Sequence, residues 1–220
     1  MKKVFFLGFA LLTMWSCENF NDSSVKLQNY MPMTVGNYWI YQHYRIDSTG
    51  LETKLSFVDS VAIIGDTTIN NKKYYVRNTN GILMQNDDFT FTRDSAGYLV
   101  NNLGKKLFST NNFTDTLRKI TYFDNVANLL IYTSSNKMEK HDGLISIPAG
   151  NFEVLNSKMT VKIYAYYKND VWNSININKI PVVYNYAYYA PKVGKILNSY
   201  IYLNNYKIRY ESRLIRFKIK

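Results

Sequence analysis

Thiols are almost missing: the chain of 220 residues has a single cysteine, Cys17, so it closes no internal disulfide and offers no pair of thiolates to a metal. Histidine is nearly as scarce, and His43 and His141 lie in different segments, whereas a zinc site wants three or four converging ligands. No Gly-x-Ser-x-Gly elbow, phosphate-cradling glycine-rich loop or His-Glu-x-x-His pair occurs, which removes the common signatures of esterases, nucleotide enzymes and zinc proteases. With 4 prolines and 10 glycines the chain has no low-complexity linker or fibrous repeat, and it shows no period of solenoid or propeller length. Apolar runs stay short of the roughly 20 residues that a membrane-crossing helix needs. The N-terminal one, Val4 to Trp15, gives way at once to Glu18, Asn19, Asn21 and Asp22.

That N-terminal stretch has the arrangement of an export signal: Lys2 and Lys3, then the uncharged run, then the small residue Ser16 before Cys17. It resembles the signal and lipobox of bacterial lipoproteins, in which a signal peptidase cuts before a cysteine that then carries a diacylglyceryl group. The resemblance implies a signal peptide at 1–16, a lipidated N-terminus and tether at 17–30, and a domain at 31–220. Met14 stands where the pattern usually has leucine and Ser16 where it has a small residue, while Trp15 departs from it. Acyl chains on Cys17 would anchor the protein stably, at about 0.8 kcal/mol per buried methylene. They would also consume the thiol, leaving no cysteine chemistry in the mature chain. The expected location is the cell envelope, with the outer membrane favoured because Glu18 replaces the aspartate associated with inner-membrane retention. The plainer alternative is an ordinary secretory signal with an incidental cysteine.

Processing would remove Lys2 and Lys3 from 27 basic residues, leaving 25 against 16 acids and a net charge of +9. Such a balance suits anionic surfaces, phospholipid headgroups or acidic glycans among them; nucleic acid is not an expected partner of an exported chain. The basic residues are scattered except in the tail "KIRYESRLIRFKIK", where alternation sets Lys207, Arg209 and Arg213 on one strand face. A solvated face and a binding patch both account for them. A hydrophobic share of 46% and an aromatic share of 16%, including 20 tyrosines, give the domain material for a real core.

Period-two alternation dominates the chain and predicts a mainly β fold. In "KMTVKIYAYYK", Met159, Val161, Ile163, Ala165 and Tyr167 share one face and Lys158, Thr160, Lys162 and Lys168 the other. "GNYWIYQHYRID" reads as a strand that turns at "DSTG" into "LETKLSFVDSVAII". Further hairpins are predicted at Asp94 to Gly97 and at Asn204 and Asn205. A phase slip in the last strand predicts a β-bulge near Leu214. "LRKITYFDNVANLLIY" is ambiguous, either one covering helix near 117–131 or two strands broken at Asp124 and Asn125. A single antiparallel sheet forming an open or half barrel is the expected architecture, with a β-sandwich as the alternative.

Three stretches, "YMPMTVGNYWIY", "ISIPAGNFEV" and "YYAPKVGKI", resemble signposts of uncharacterised lipoproteins from Bacteroidetes envelopes. That resemblance implies an envelope lipoprotein with a barrel-like antiparallel fold such as lipoprotein carriers have, and it transfers no catalytic residue. Physically, Pro32 and Gly36, Pro148 and Gly150, and Pro191 and Gly194 each pair a fixed φ with a permissive one before an alternating strand. Trp39 and Phe152, the first aromatics after such turns, are expected to plug the core. "MEKHDG" gathers Glu139, His141 and Asp142, but Asp142-Gly143 is a ready hairpin turn, and Asp87 and Asp88 read as loop residues.

The expected activity is non-enzymatic, without metal or cofactor: a binding or carrier module for a hydrophobic ligand or a partner protein. Glycan binding, or a structural role in an envelope complex, is the alternative. A ligand groove, if present, would draw on Trp39, Tyr41, Trp172, Tyr184, Tyr186, Tyr188 and Tyr189. Ser60, Thr67, Ser95 and Thr116 follow Asp in a pattern resembling the O-glycosylation sites of exported Bacteroidetes proteins, although Asp-Ser and Asp-Thr are also turn chemistry.

Overall fold

A computed structural model describes residues 27–81, 89–168, 171–202 and 205–220. Cys17, the signal segment, most of the tether, Asp87, Asp88 and Asn204 lie outside the described residues. The alternating segments become strands: β1 (Tyr38–Ile46), β2 (Glu52–Ile69), β3 (Lys72–Asn80), β4 (Phe89–Ser95), β5 (Tyr98–Asn101), β6 (Lys106–Ser109), β7 (Thr116–Asp124), β8 (Leu129–Ile147), β9 (Gly150–Ile163), β10 (Ala165–Lys168), β11 (Val171–Ser174), β12 (Val182–Ala190), β13 (Gly194–Tyr202) and β14 (Asn205–Lys218). Twelve of them form one antiparallel sheet in the order β6-β5-β4-β3-β2-β1-β14-β13-β12-β9-β8-β7, and β10 pairs with β11 in a separate ribbon. The edge strands β6 and β7 come into contact, so the sheet curls until it nearly closes into a barrel. One continuous sheet replaces the sandwich alternative.

Most neighbours in the sheet are consecutive hairpins, which a short turn suffices to register. The DSTG turn joins β1 to β2 through Asp47, whose Oδ1 accepts from the Thr49 and Leu51 amides at 2.8 and 3.0 Å. The predicted turn before Gly97 joins β4 to β5, with Asp94 Oδ1 accepting from the Gly97 amide at 3.1 Å. No helix forms near 117–131. Asp124 Oδ1 accepts from the Val126 and Ala127 amides, both at 2.9 Å, and Asn128 takes a φ of +48°, so an Asx turn links β7 to β8. The strand predicted through "KMTVKIYAYYK" breaks at Tyr164, whose amide donates to the Ile131 carbonyl at 2.8 Å, and the chain leaves β9 for the ribbon. The bulge falls where expected: Ile40 pairs with Arg216 and Tyr41 with Leu214, leaving Ile215 as the extra residue.

Register decides which side chains share a face. Trp39 opposes Val61 and Phe217, and Tyr41 opposes Asp59 and Leu214, so these line the interior together with Ile63 and Ile196. A second cluster packs Leu99, Phe108, Met138 and Tyr189 against Leu27 and Met33. Leu27–Tyr30, the last residues of the predicted tether, form a helical turn closed by the Met31 amide on the Leu27 carbonyl at 2.8 Å. Leu27 is fully buried, so this turn plugs the interior.

The three Pro/Gly stretches meet in space. Trp39 Nε1 donates to the Val193 carbonyl at 2.6 Å and Tyr41 Oη to the Lys195 carbonyl at 2.8 Å. Gly194, at φ +96°, lies so close that an added Cβ would stand 3.4 Å from both Pro32 Cδ and Trp39 Nε1. Asn37 Nδ2 donates to the Pro32 carbonyl at 3.0 Å, and its Oδ1 accepts from the Lys220 amide at 2.9 Å. The third stretch arrives at the tip of the long β8–β9 hairpin, where the Ala149 amide donates to the Leu214 carbonyl at 3.1 Å. Trp39 is buried as expected, and Phe152 packs half-buried against the same cluster.

Candidate functional site

The β8–β9 hairpin builds a groove by bending. Between Lys140 and Leu144 its register shifts, so His141, Asp142 and Gly143 have no counterpart on β9. Asp142-Gly143 is thus a bulge inside β8 rather than a hairpin turn, and Gly143 supplies a φ of +90° that other residues rarely adopt. The bend carries Leu144, Ile145 and Ser146 over the sheet face formed by β12, β13 and β14.

Beneath that arch lies a groove of about 490 Å³, floored by Tyr186, Tyr188, Leu197, Ser199, Arg209, Glu211 and Arg213. Pairings Tyr188–Leu197, Ser199–Glu211 and Ile201–Arg209 put these residues on one face. The Tyr186 and Tyr188 rings lie 6.1 Å apart and 15° from parallel, a stacked aromatic pair. The His141 ring stands edge-on to Tyr188 at 5.2 Å. Glu211 accepts from Arg209 Nε at 3.1 Å and from Arg213 Nε at 2.8 Å, and Arg213 also pairs with Glu52 at 2.5 Å. The Arg213 guanidinium lies 4.4 Å from the Tyr44 ring centre. Two guanidinium groups therefore face two carboxylates, and the floor is charge-balanced. Burial, helped by Tyr186 and Glu211, raises the Tyr188 phenol above its ordinary value and keeps it a neutral donor and acceptor.

Alternation divides the expected groove aromatics. Tyr184, Tyr186 and Tyr188 share the groove face of β12, with Tyr184 exposed and carrying Lys158 Nζ 4.7 Å over its ring. Tyr189 points to the interior, because it is the next residue and a bulge follows Tyr188. Trp39 and Tyr41 are interior as well. Trp172 sits on the β10–β11 ribbon, where Nε1 donates to Asp124 Oδ2 at 2.9 Å. These four do not line the groove.

The "MEKHDG" residues separate too. Glu139 pairs with Lys158 at 3.3 Å, His141 meets Tyr188, and Asp142 is exposed. No group of three metal-ligating residues occurs among the described residues. Of the candidate acceptors, Thr116 is exposed, whereas Ser60, Thr67 and Ser95 are half-buried on strands.

A polar chain runs through the interior at His43, a strand position for which the sequence allows either a structural hydrogen bond or exposure. Its Nε2 lies 2.7 Å from Asp59 Oδ2, its Nδ1 3.2 Å from Tyr200 Oη, and Phe57 stacks beside it at 4.9 Å. His43 and Asp59 are both 1% exposed. Burial also raises the Tyr200 phenol well above its ordinary value. These residues line neither the groove nor the small interior pocket; the chain gives both ring nitrogens of the buried histidine a partner, while Asp59 Oδ1 has none among the described residues. The spacing Trp39, Tyr41, His43 is the signal that could have put that histidine on the inward face. Asp59, by contrast, was legible only as part of an Asp-Ser pair.

No family model matches the chain, and no curated protein matches it. Among solved structures, a Bacteroides fragilis protein described as exported, with a YmcC-like fold, is 14% identical, covers 84% of this chain and 96% of its own, and superposes with a TM-score of 0.48. A Parabacteroides distasonis protein described as a lipoprotein is 15% identical over the same shares, 84% and 96%, with a TM-score of 0.43. The coordinates define the class of fold, a single antiparallel sheet curled almost into a barrel.

Proposed function

We propose that this chain is a lipid-anchored protein of the bacterial cell envelope, of the outer membrane, whose domain is a non-enzymatic module binding a saccharide in the groove under the β8–β9 hairpin. The observation that carries the ligand class is the near-parallel, stacked Tyr186–Tyr188 pair beside the Arg209–Glu211–Arg213 row, whose second carboxylate is Glu52. A sugar ring offers C–H groups to aromatic faces and hydroxyls to paired carboxylate and guanidinium groups, and pockets with an apolar floor and a few placed polar groups bind in this manner. A hydrocarbon would strip water from those ion pairs and offer no hydrogen bond in return. An acyl-chain carrier also needs an open apolar interior, and here the Leu27–Tyr30 turn fills it, leaving a pocket of about 20 Å³.

The anchor rests on Lys2, Lys3, the apolar run and Ser16-Cys17. Nine residues, or ten chain steps, lie between Cys17 and buried Leu27, so the domain would stand within about 35 Å of the lipid surface. Glycan-array binding by the full-length protein in nonionic detergent tests the ligand class. Retention of at least one glycan is expected, weakened tenfold or more by Tyr188→Ala and unchanged by Trp172→Ala. Failure to retain any glycan, or binding indifferent to Tyr188, would overturn it. Intact mass of protein from its native host is expected to show a chain starting at Cys17 with a diacylglyceryl adduct, and an unmodified start would overturn the anchor.

A further inference from the structure

The interior holds two cations without a visible counter-charge. Arg77 shares a face with Ile63, its partner on β2, and Lys195 sits beside Tyr189, its Nζ 5.8 Å from the ring centre. Neither makes an ion pair among the described residues. Burial and the Arg77 charge together lower the Lys195 ammonium to about 8. The Arg77 charge also acts on the buried phenols of Tyr41 and Tyr189, opposing the rise that burial gives them.

Arg77 also lines the small interior pocket, with Thr92, Trp39, Tyr41, Ile63 and Met33. Thr92 opposes Tyr75 across β3–β4 and is therefore a diagonal neighbour of Arg77. It is 1% exposed, and its hydroxyl has no hydrogen-bond partner. A buried hydroxyl without a partner is unfavourable, and it borders the same pocket as the half-buried Arg77 guanidinium, which has no anion beside it among the described residues. The pocket measures about 20 Å³, room for one particle of about water's size.

We propose that this pocket binds a single halide, chloride under ordinary conditions, held by the Arg77 guanidinium and the Thr92 hydroxyl. The ion supplies the missing negative charge and accepts from Thr92. This site is independent of the groove, being carried by different residues on the opposite face of the sheet.

Thermal unfolding of the full-length protein in nonionic detergent, in sodium chloride against sodium gluconate at matched ionic strength, tests it. A rise in Tm of about 2–4 °C in chloride is expected, with bromide equivalent. Arg77→Met is expected to abolish the difference and Thr92→Val to reduce it. Because Arg77→Met alters a buried position, crystals of the unmodified protein soaked in bromide give a second reading: an anomalous peak between Arg77 and Thr92. An unchanged Tm together with no bromine peak, leaving water alone in the pocket, would overturn the proposal. So would a chloride effect that survives in both variants.

Discussion

Tyr188 opens onto the groove, while Tyr189, the next residue, packs against Phe108 at a centroid distance of 4.4 Å. The two faces of β12, β13 and β14 divide in the same way. Toward the interior they carry Ile196, Tyr200, Ser212 and Leu214; toward the groove they carry Leu197, Ser199, Arg209 and Glu211. Interior residues are held by neighbours on every side, so their value lies in fit. The groove row keeps Arg209 nearly half exposed beside Glu211, where an ion pair adds little to folding. Charges and aromatic rings placed where stability gains little from them fit the proposed saccharide-binding role.

That contrast is sharpened most by Trp39→Ala. It empties a buried aromatic site and strands the Val193 carbonyl, so a loss of about 3–5 kcal/mol is expected in denaturant unfolding, with glycan affinity changed only through unfolding. Asp59→Ala comes next. It leaves the His43 ring nitrogen buried without its partner, and a loss of about 2–4 kcal/mol is expected in the same assay.

Lys195 gives a pH signature of the interior. Its folded value, about 8, lies below the 10.5 of a free lysine, so the unfolded chain binds more protons between them. Stability in halide-free buffer is therefore expected to rise as pH increases from about 8, until the tyrosines ionise in the unfolded state near 10. Lys195→Met is expected to flatten that slope in urea midpoints measured across the range. The smallest stability effect belongs to the groove: Tyr188→Ala is expected to cost about 1 kcal/mol or less while removing most of the ligand affinity. A loss as large as that of Trp39→Ala would erase the distinction between the faces.

Much of the fold could be read from the alternation of residues. The hairpin at "DSTG", the bulge near Leu214 and the core position of Trp39 all follow from period two and from turn residues whose chemistry is local. What could not be read depended on long-range register. Tyr188 and Tyr189 lie side by side in the chain, and only the strand partners tell which faces inward. The helix alternative at 117–131 failed because an Asx turn at Asp124 outweighed a helical spacing of apolar residues. Asp142-Gly143 has the residues of a hairpin turn but serves as a bulge, since the hairpin closes later, between Ile147 and Gly150. Arg209 and Arg213 were visible on one strand face, yet their joining with Tyr186 and Tyr188 required β13 to intervene between β14 and β12.

The most direct measurement is a titration of the protein, its tyrosine rings labelled with carbon-13, with a saccharide retained on the array, followed by ring chemical shifts. Tyr186 and Tyr188 are expected to move while Tyr41 and Tyr189 stay fixed. Movement of Tyr41 and Tyr189 with the groove pair silent would place the ligand in the interior and contradict the account.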